Sequence, residues 1–132
     1  MKTARDCLST RAVIVRPDQR LIDVVSDVVK QDALYCAVVT QNGNFMGLVQ
    51  LKEIVLRSTD RVFADLVPDT TPPAVDETTD VNTIVKLLQT QRFDEVVVLT
   101  HEQQYIGLVT RESLFDWWAL QEKNLGDVKD AR

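Results

Sequence analysis

The stretch Gln104-Tyr105-Ile106-Gly107-Leu108-Val109-Thr110-Arg111-Glu112-Ser113 decides the reading of this chain. It runs as a short apolar strand through a glycine into a polar helix start. Sixty positions earlier, Asn44-Phe45-Met46-Gly47-Leu48-Val49-Gln50-Leu51-Lys52-Glu53 has the same build, with an aromatic residue, a medium apolar residue and then Gly-Leu-Val. Under the same shift Thr10 matches Thr70, Val15 matches Val75, Val25 matches Val85, Gln31 matches Gln91, Val38 matches Val98 and Thr40 matches Thr100, with no gap between residues 10 and 54. Chance rarely holds such a register, so the chain is an internal repeat.

Each copy spells the same order of elements. Val13-Ile14-Val15 is a β-branched run closed by Arg16-Pro17-Asp18, a strand followed by a turn. Leu21, Val24, Val25 and Val28 then recur at i, i+3, i+4 and i+7, while Asp23, Ser26, Asp27 and Lys30 fall elsewhere, which predicts an amphipathic helix. Valine lowers helix propensity by only some tenths of a kcal/mol, and burial at about 25 cal/mol per Å² of apolar surface overrides that. Tyr35 to Thr40 reads as a mostly buried strand, Gln41-Asn42-Gly43-Asn44 as a turn in which Asn-Gly tolerates positive φ, and Phe45 to Val49 as the returning strand. Leu51, Ile54, Val55 and Ser58 continue at helical spacing and predict a second helix directly after the hairpin.

The second copy repeats this with Ala74-Val75 as a strand, a helix carrying Val81, Ile84, Val85 and Leu88, a strand over Glu95 to Thr100, a turn at His101-Glu102-Gln103, a strand from Tyr105 and a closing helix. A short lead-in precedes each copy, since Ala64-Asp65-Leu66-Val67-Pro68 echoes Arg5-Asp6-Cys7-Leu8 with a one-residue slip. The expected fold class is α/β (α+β), with two β-α-β-β-α repeats over residues 1–60 and 61–124 and a polar tail over 125–132 that frays. One copy alone would bury too little surface to be stable. Two copies packed with pseudo-twofold symmetry cover each other's open sheet faces and leave two related clefts at the seam.

The bulk properties narrow the function. A chain of 132 residues, 45% apolar and 27% charged, suits one compact folded unit. A net charge of −5 without a basic patch argues against a nucleic-acid partner. Met1 to Asp6 lack the apolar region of a secretion signal, and no apolar run approaches the roughly 20 residues that span a bilayer, so the expected address is the cytoplasm, with no membrane partner. Cys7 and Cys36 form no Cys-x-x-Cys pair and suit a reducing compartment; Cys36, inside an apolar strand, reads as a buried structural thiol. His101 is the single histidine and reads as a turn residue, because a metal site needs several ligands. The sequence contains no Cys/His/Asp constellation, paired catalytic carboxylates or phosphate-binding glycine loop, and the chain is expected not to be an enzyme.

The order of elements, the paired lead-ins, the Val-Val strands and Gly-Leu-Val at 47–49 and 107–109 together resemble the cystathionine-β-synthase (CBS) domain in its tandem form, the Bateman module, over almost the whole chain. That resemblance implies a regulatory module that needs no cofactor and binds an adenine-containing ligand such as AMP, ATP or S-adenosylmethionine. In such modules the ribose is held by a Gly-x-x-Thr/Ser-x-x-Asp motif. An Asp at a helix N-terminus accepts hydrogen bonds from both ribose hydroxyls, and the helix dipole there favours anions.

Both copies depart from that motif. The second keeps the hydroxyl, Thr110, but has Ser113 in place of Asp; the first has Gln50 in place of the hydroxyl and Glu53 in place of Asp. Glu53 retains a carboxylate on a longer arm, whereas Ser113 offers one weak acceptor. Charged hydrogen bonds are worth about 1.5–3 kcal/mol and neutral ones about 0.5–1.5, so the loss weakens a ligand by roughly tenfold or more. The candidate ligand-binding residues are Thr110, Arg111, Ser113, Gln50, Glu53, Thr10 and Thr70. Lys52, Arg57, Arg92 and Arg111 lie on segments that approach the clefts, either to meet phosphates or as solvated surface cations, and Thr110 serves equally well as a plain helix N-cap.

In the closing helix, Leu114, Phe115, Trp117, Trp118 and Leu120 cover more than one face. One stripe packs on the chain's own sheet; the other is surplus and marks an interface, where aromatics are enriched. The resemblance implies flat dimers formed through these helices, hence a homodimer with Trp117 or Trp118 at the contact and Phe115 beside them. The alternative places both tryptophans in the intramolecular core. Two functions stay open: a module that senses an adenosyl small molecule and modulates a partner protein or domain, or a ligand-free dimerisation and protein-interaction module with degenerate nucleotide sites.

Overall fold

Two three-stranded sheets follow from the two sets of β-branched runs. In the first, β1 (Ala12–Val15) runs parallel to β2 (Tyr35–Val39), which pairs antiparallel with β3 (Phe45–Gln50). In the second, β4 (Ala74–Asp76), β5 (Glu95–Leu99) and β6 (Tyr105–Thr110) repeat that order and sense. The registers coincide under the shift of sixty. Val38 faces Gly47 and Val98 faces Gly107, and each ladder slips at the next residue, between Val38 and Val39 and between Val98 and Leu99. The hairpin turns agree as well, with Gly43 at φ 90° and its equivalent Gln103 at φ 67°. The computed structural model describes residues 2–54 and 59–130, the side chains of 124–130 excepted.

The parallel pairs are joined by α1 (Leu21–Gln31) and α3 (Val81–Thr90). Asp80 caps α3 by accepting the Asn82 N–H at 3.0 Å, and Asp23 closes the first turn of α1 by accepting the Arg20 N–H at 2.9 Å. Leu21, Val24 and Val28 pack on the first sheet, but Val25, expected on that stripe, is 45% exposed. A four-residue outer strand offers α1 one line of contact, and Val25 falls on the outward line with Ile22 and Val29.

One further expectation changes. The helix predicted from Leu51 is instead a 3-10 turn over Leu51–Glu53, ending in an extended Ile54 at φ −81°, ψ 121°. In 3-10 geometry residues three apart eclipse, and Leu51 and Ile54 both pack on the first repeat's core in this way. Val55 and Ser58, also assigned to that helix, lie outside the described residues. The closing helix is α4 (Arg111–Asp130).

Alternation along the strands divides the apolar residues into three cores. Cys36, Val38 and Val49 point to the α1 side with Val13, Val15 and Val24. Val96, Val98 and Val109 point to the α3 side with Ile84 and Leu88. The residues between them, Ala37, Val39, Leu48, Val97 and Leu108, form the third core, where the open faces of the two sheets meet. Phe45 and its equivalent Tyr105 stack beside it, ring centroids 5.6 Å apart and 17° from parallel.

The lead-ins cross over. The 3-10 turn Ala4–Cys7, which precedes the first repeat, lies in the core of the second; Ala4 N–H donates to Thr79 O at 2.9 Å and Val81 N–H to Lys2 O at 3.1 Å. The short helix α2 (Phe63–Leu66), which precedes the second repeat, lies in the core of the first, with Phe63 fully buried and its N–H donating to Gln19 O at 2.8 Å. Each repeat is therefore completed by a segment belonging, in chain order, to the other. Cys7 and Cys36 sit in these cores, and burial pushes their thiols up to about 11 and about 12, so neither supplies a thiolate near neutral pH.

The crossover depends on glycine. A Cβ at Gly47 would fall 2.2 Å from Cγ1 of Val67, the residue just after α2. Gly47→Ala is expected to destabilise the fold by about 1–3 kcal/mol through overpacking. In a Val67→Ala background most of that cost disappears, a coupling read from the urea midpoints of the four-protein cycle. Simply additive losses would show that Val67 is not the steric partner.

Candidate functional site

Each hairpin's returning strand ends where a helical turn begins, at the mouth of a seam cleft. In the second repeat this junction is closed on itself. Thr110 N–H donates to Ser113 Oγ at 2.9 Å, Ser113 N–H donates to Thr110 Oγ1 at 2.9 Å, and the Ser113 hydroxyl donates to Thr110 O at 3.1 Å. The arrangement is a reciprocal capping box at the start of α4, with both side chains buried. Ser113 thus uses its proton and an acceptor site within the box, while the Thr110 hydroxyl keeps its own proton to donate.

Outside that box lies a cleft of about 260 Å³, lined by Ser9, Thr10 and Arg11 from the first lead-in and by Glu112, Ser113 and Asp116 from α4. It brings together Thr10 and Ser113, which come from opposite ends of the chain. Arg11 spans the seam. Its Nε donates to Asp32 O at 3.0 Å, Nη2 lies 3.2 Å from Asp32 Oδ2 and Nη1 lies 3.1 Å from Glu112 Oε2. Asp32 holds this place as the left-handed C-cap of α1, at φ 50° and ψ 47°. Arg11 therefore ties the end of α1 to the start of α4.

The equivalent cleft of the first repeat is a cavity of about 120 Å³ lined by Val49, Gln50, Glu53 and Ile54 with Leu66 and Pro68 of the second lead-in. It unites Gln50 and Glu53. The Gln50 amide donates to Glu95 Oε1 at 3.2 Å, crossing from β3 to β5. Glu95 is 3% exposed and faces Thr110 in the ladder. Burial, and then the neighbouring charge of Asp94, raise its carboxyl above the ordinary range, with Lys52 acting in opposition.

Thr70 is exposed and lines neither of these two clefts. Arg111 turns away from both: its Nε lies 2.8 Å from Asp94 Oδ1, and a second N–H reaches the Leu88 carbonyl. It lines a groove of about 730 Å³ between α3 and α4 together with Val85, Leu88, Leu114, Trp117 and Trp118. Trp117 packs on the second repeat's core, whereas Phe115 and Trp118 are 62% and 51% exposed, their rings 5.7 Å apart. His101 lies in its turn with Nδ1 2.7 Å from Asp76 Oδ2, and no cluster of metal-ligating side chains occurs among the described residues. Arg57 lies outside them.

Sequence reasoning missed Arg11 and Asp116 as residues lining the second cleft, and Glu95 as the partner of Gln50 beside the first. For Arg11 the available signal was where the repeat changes charge: Arg11 is matched by Thr71, and its partners Asp32 and Glu112 by Arg92 and Lys52.

The CBS domain family model matches residues 64–119, which is the second lead-in and most of the second repeat. CBSX2, a CBS-pair protein of Arabidopsis thaliana, in its complex with AMP is similar over 93% of this chain and 99% of its own, with TM-score 0.70 and 22% identity. The CBS domains of a transcriptional regulator from Streptococcus pneumoniae are similar over 88% of this chain and 98% of theirs, with TM-score 0.72 and 17% identity. The chain folds as a tandem CBS-domain pair. The CBS domain of a bacterial CNNM/CorC family Mg2+ transporter in complex with ATP has the same fold over 88% of this pair and 86% of its own chain, with TM-score 0.70 and 18% identity. By sequence, no curated protein matches the pair.

Glu95 gives the pair a pH dependence of defined sign. Because its pKa is raised on folding, the folded state holds this proton more tightly than the unfolded one. The associated stability is fully present below the ordinary value of 4.5 and is lost as pH rises through the folded pKa. Glu95→Gln removes the charge and keeps an acceptor for Gln50. Its melting temperature is expected to match wild type near pH 4 and to exceed it increasingly toward pH 7, levelling once the wild-type carboxyl has ionised. Parallel melting curves across that range would show that burial does not strain Glu95.

Proposed function

We propose that this CBS pair is a regulatory, non-catalytic module that senses an adenosyl-containing small molecule of the AMP, ATP or S-adenosylmethionine type and modulates a partner protein or domain. The observation that carries the reading is the first-repeat cleft. There Glu53 stands at the ribose-binding position of the motif, beside Gln50, with no hydrogen-bond partner among the described residues. A carboxylate left open in this way suits the paired hydroxyls of a ribose. The AMP and ATP complexes of CBSX2 and of the transporter's CBS domain support the ligand class. To act as a switch, the ligand must bind one arrangement of the repeats better than another, typically by about 1–3 kcal/mol. We take the module to work in the cytoplasm with neither nucleic acid nor membrane as partner, a reading its net charge of −5 favours over polyanion binding.

Thermal unfolding with AMP, ATP or S-adenosylmethionine tests this directly. A ligand at 100 times its Kd stabilises the fold by about 2.7 kcal/mol, which is several degrees at this size. Glu53→Ala is expected to abolish the shift. A full shift retained in Glu53→Ala and lost in Thr110→Ala would move the site to the second cleft, and no shift with any of the ligands would reject the sensing role.

The second reading, a ligand-free dimerisation and interaction module, is favoured by the self-satisfied Thr110–Ser113 box and by exposed apolar faces on both repeats. Ile22, Val25 and Val29 are 58%, 45% and 74% exposed on α1, and Phe115 and Trp118 stand out from α4. Both readings share a homodimer formed through these helices, with Trp118 at the contact and Trp117 behind it. Trp118→Glu is expected to convert a dimer to a monomer in sedimentation at low micromolar concentration while leaving the circular dichroism spectrum unchanged. A wild-type protein already monomeric under those conditions would remove the homodimer.

A further inference from the structure

The first repeat carries a ridge and the second a groove. Ile22, Val25 and Val29 recur at i, i+3 and i+7 along the outward line of α1, and all three are exposed. The groove of about 730 Å³ between α3 and α4 is lined by Val85, Leu88 and Leu114 with Phe115 and Trp118. Under the shift of sixty, Ile22 and Val29 are matched by Asn82 and Gln89, which also line the groove, so the second repeat has polar residues where the first has apolar ones. Cover is distributed unequally as well. After β3 the described segment is the 3-10 turn Leu51–Glu53, whereas β6 leads into α4, whose Leu114 and Trp117 pack on the second core while Phe115 and Trp118 stand clear of it. One repeat leaves an apolar line open, and the other holds aromatic surface in surplus.

We propose that the chain forms a reciprocal dimer in which the α1 ridge of each copy seats in the α3–α4 groove of the other, so that first repeat meets second repeat across a twofold axis. This rests on the homodimer reading and adds to it which faces meet. The exposed parts of Ile22, Val25, Val29, Phe115 and Trp118 present roughly 300–500 Å² of apolar surface. With apolar atoms making up about 60% of an interface, one seating of ridge in groove buries roughly 500–800 Å² in all, below the roughly 1,000 Å² that a specific interface needs. Formed twice in one dimer, the contact passes that size. Laying ridge on ridge and α4 on α4 would leave the groove unfilled, whereas a ridge of side chains entering a groove packs without a void. In the reciprocal arrangement Val25, midway along the ridge, lies against Phe115 of the second copy, and the reverse holds at the other contact.

Mixing single-cysteine variants under mild oxidation tests the pairing. Val25→Cys and Phe115→Cys place thiols at exposed positions, the native Cys7 and Cys36 are buried, and an unchanged circular dichroism spectrum shows that each variant folds. A disulfide-linked dimer, twice the chain mass on a non-reducing gel, is expected when the two variants are mixed and not from either alone. Cross-linking of either variant with itself, or none in any combination, while the wild type sediments as a dimer, would overturn the pairing and leave the homodimer reading standing. Wild-type species larger than two chains would show that the contact does not close, and would overturn the reciprocal arrangement. A wild type that is monomeric at low micromolar concentration would remove both.

Discussion

Everything in this molecule depends on the meeting of two open sheet faces. A three-stranded sheet with helices on one side leaves Ala37, Val39 and Leu48, or Val97, Leu108 and Leu99, facing water, and a unit of about 60 residues buries too little elsewhere to compensate. Pressing the faces together buries five residues to 4% exposure or less and stacks Phe45 on Tyr105. Because side chains alternate along a strand, this seam fixes the phase of every strand. Val38 and Val98 must face their helices if Ala37 and Val97 are to face each other.

The crossed lead-ins turn that contact into an interlock. Cys7 and Ala4 fill the second repeat's core and Phe63 fills the first's, so neither repeat is complete as a continuous segment of chain. The same crossing makes the clefts composite. The wall opposite Ser113 comes from Ser9 to Arg11, and that opposite Glu53 from Leu66 and Pro68. Any ligand seated in either cleft touches a junction between repeats, and a change in their relative setting changes its contacts. Each cleft lies at a junction between the repeats because the lead-ins exchange places.

The fold was legible in the sequence where burial forces a period. Gly-Leu-Val twice in register, Val-Val strands and the spacing of Leu21, Val24 and Val28 are each dictated by a face that must be dry. Legibility failed where two geometries satisfy the same pattern. Leu51 and Ile54 are three apart, which a helix and a 3-10 turn both place on one side, and only the packing beneath them chose. Val25 was misread because an apolar residue on a helix says nothing by itself about which line of the helix meets the sheet. The candidate site was legible only in part. Thr10 with Ser113, and Gln50 with Glu53, do converge, but Arg111 was drawn away by Asp94 and the Leu88 carbonyl. Arg11 carried no local signal, since its partners Asp32 and Glu112 are remote in sequence.

The two halves have kept what the seam requires and diverged where it requires nothing. At buried positions the copies hold identical or similar apolar residues, such as Val38 and Val98 or Leu48 and Leu108, because a changed volume there costs about 1–3 kcal/mol. At the strand-to-helix junction the backbone needs only that its free N–H groups be satisfied. Thr110 and Ser113 satisfy them from within, which stabilises α4 and leaves little for a ligand. Gln50 and Glu53 leave a carboxylate outside the turn's own hydrogen bonds, above a 3-10 turn that does not need it. A side chain that its own backbone does not use is the one available to a ligand. The repeat that departs further from regular helix at this junction is therefore the one whose carboxylate stays outside its own turn.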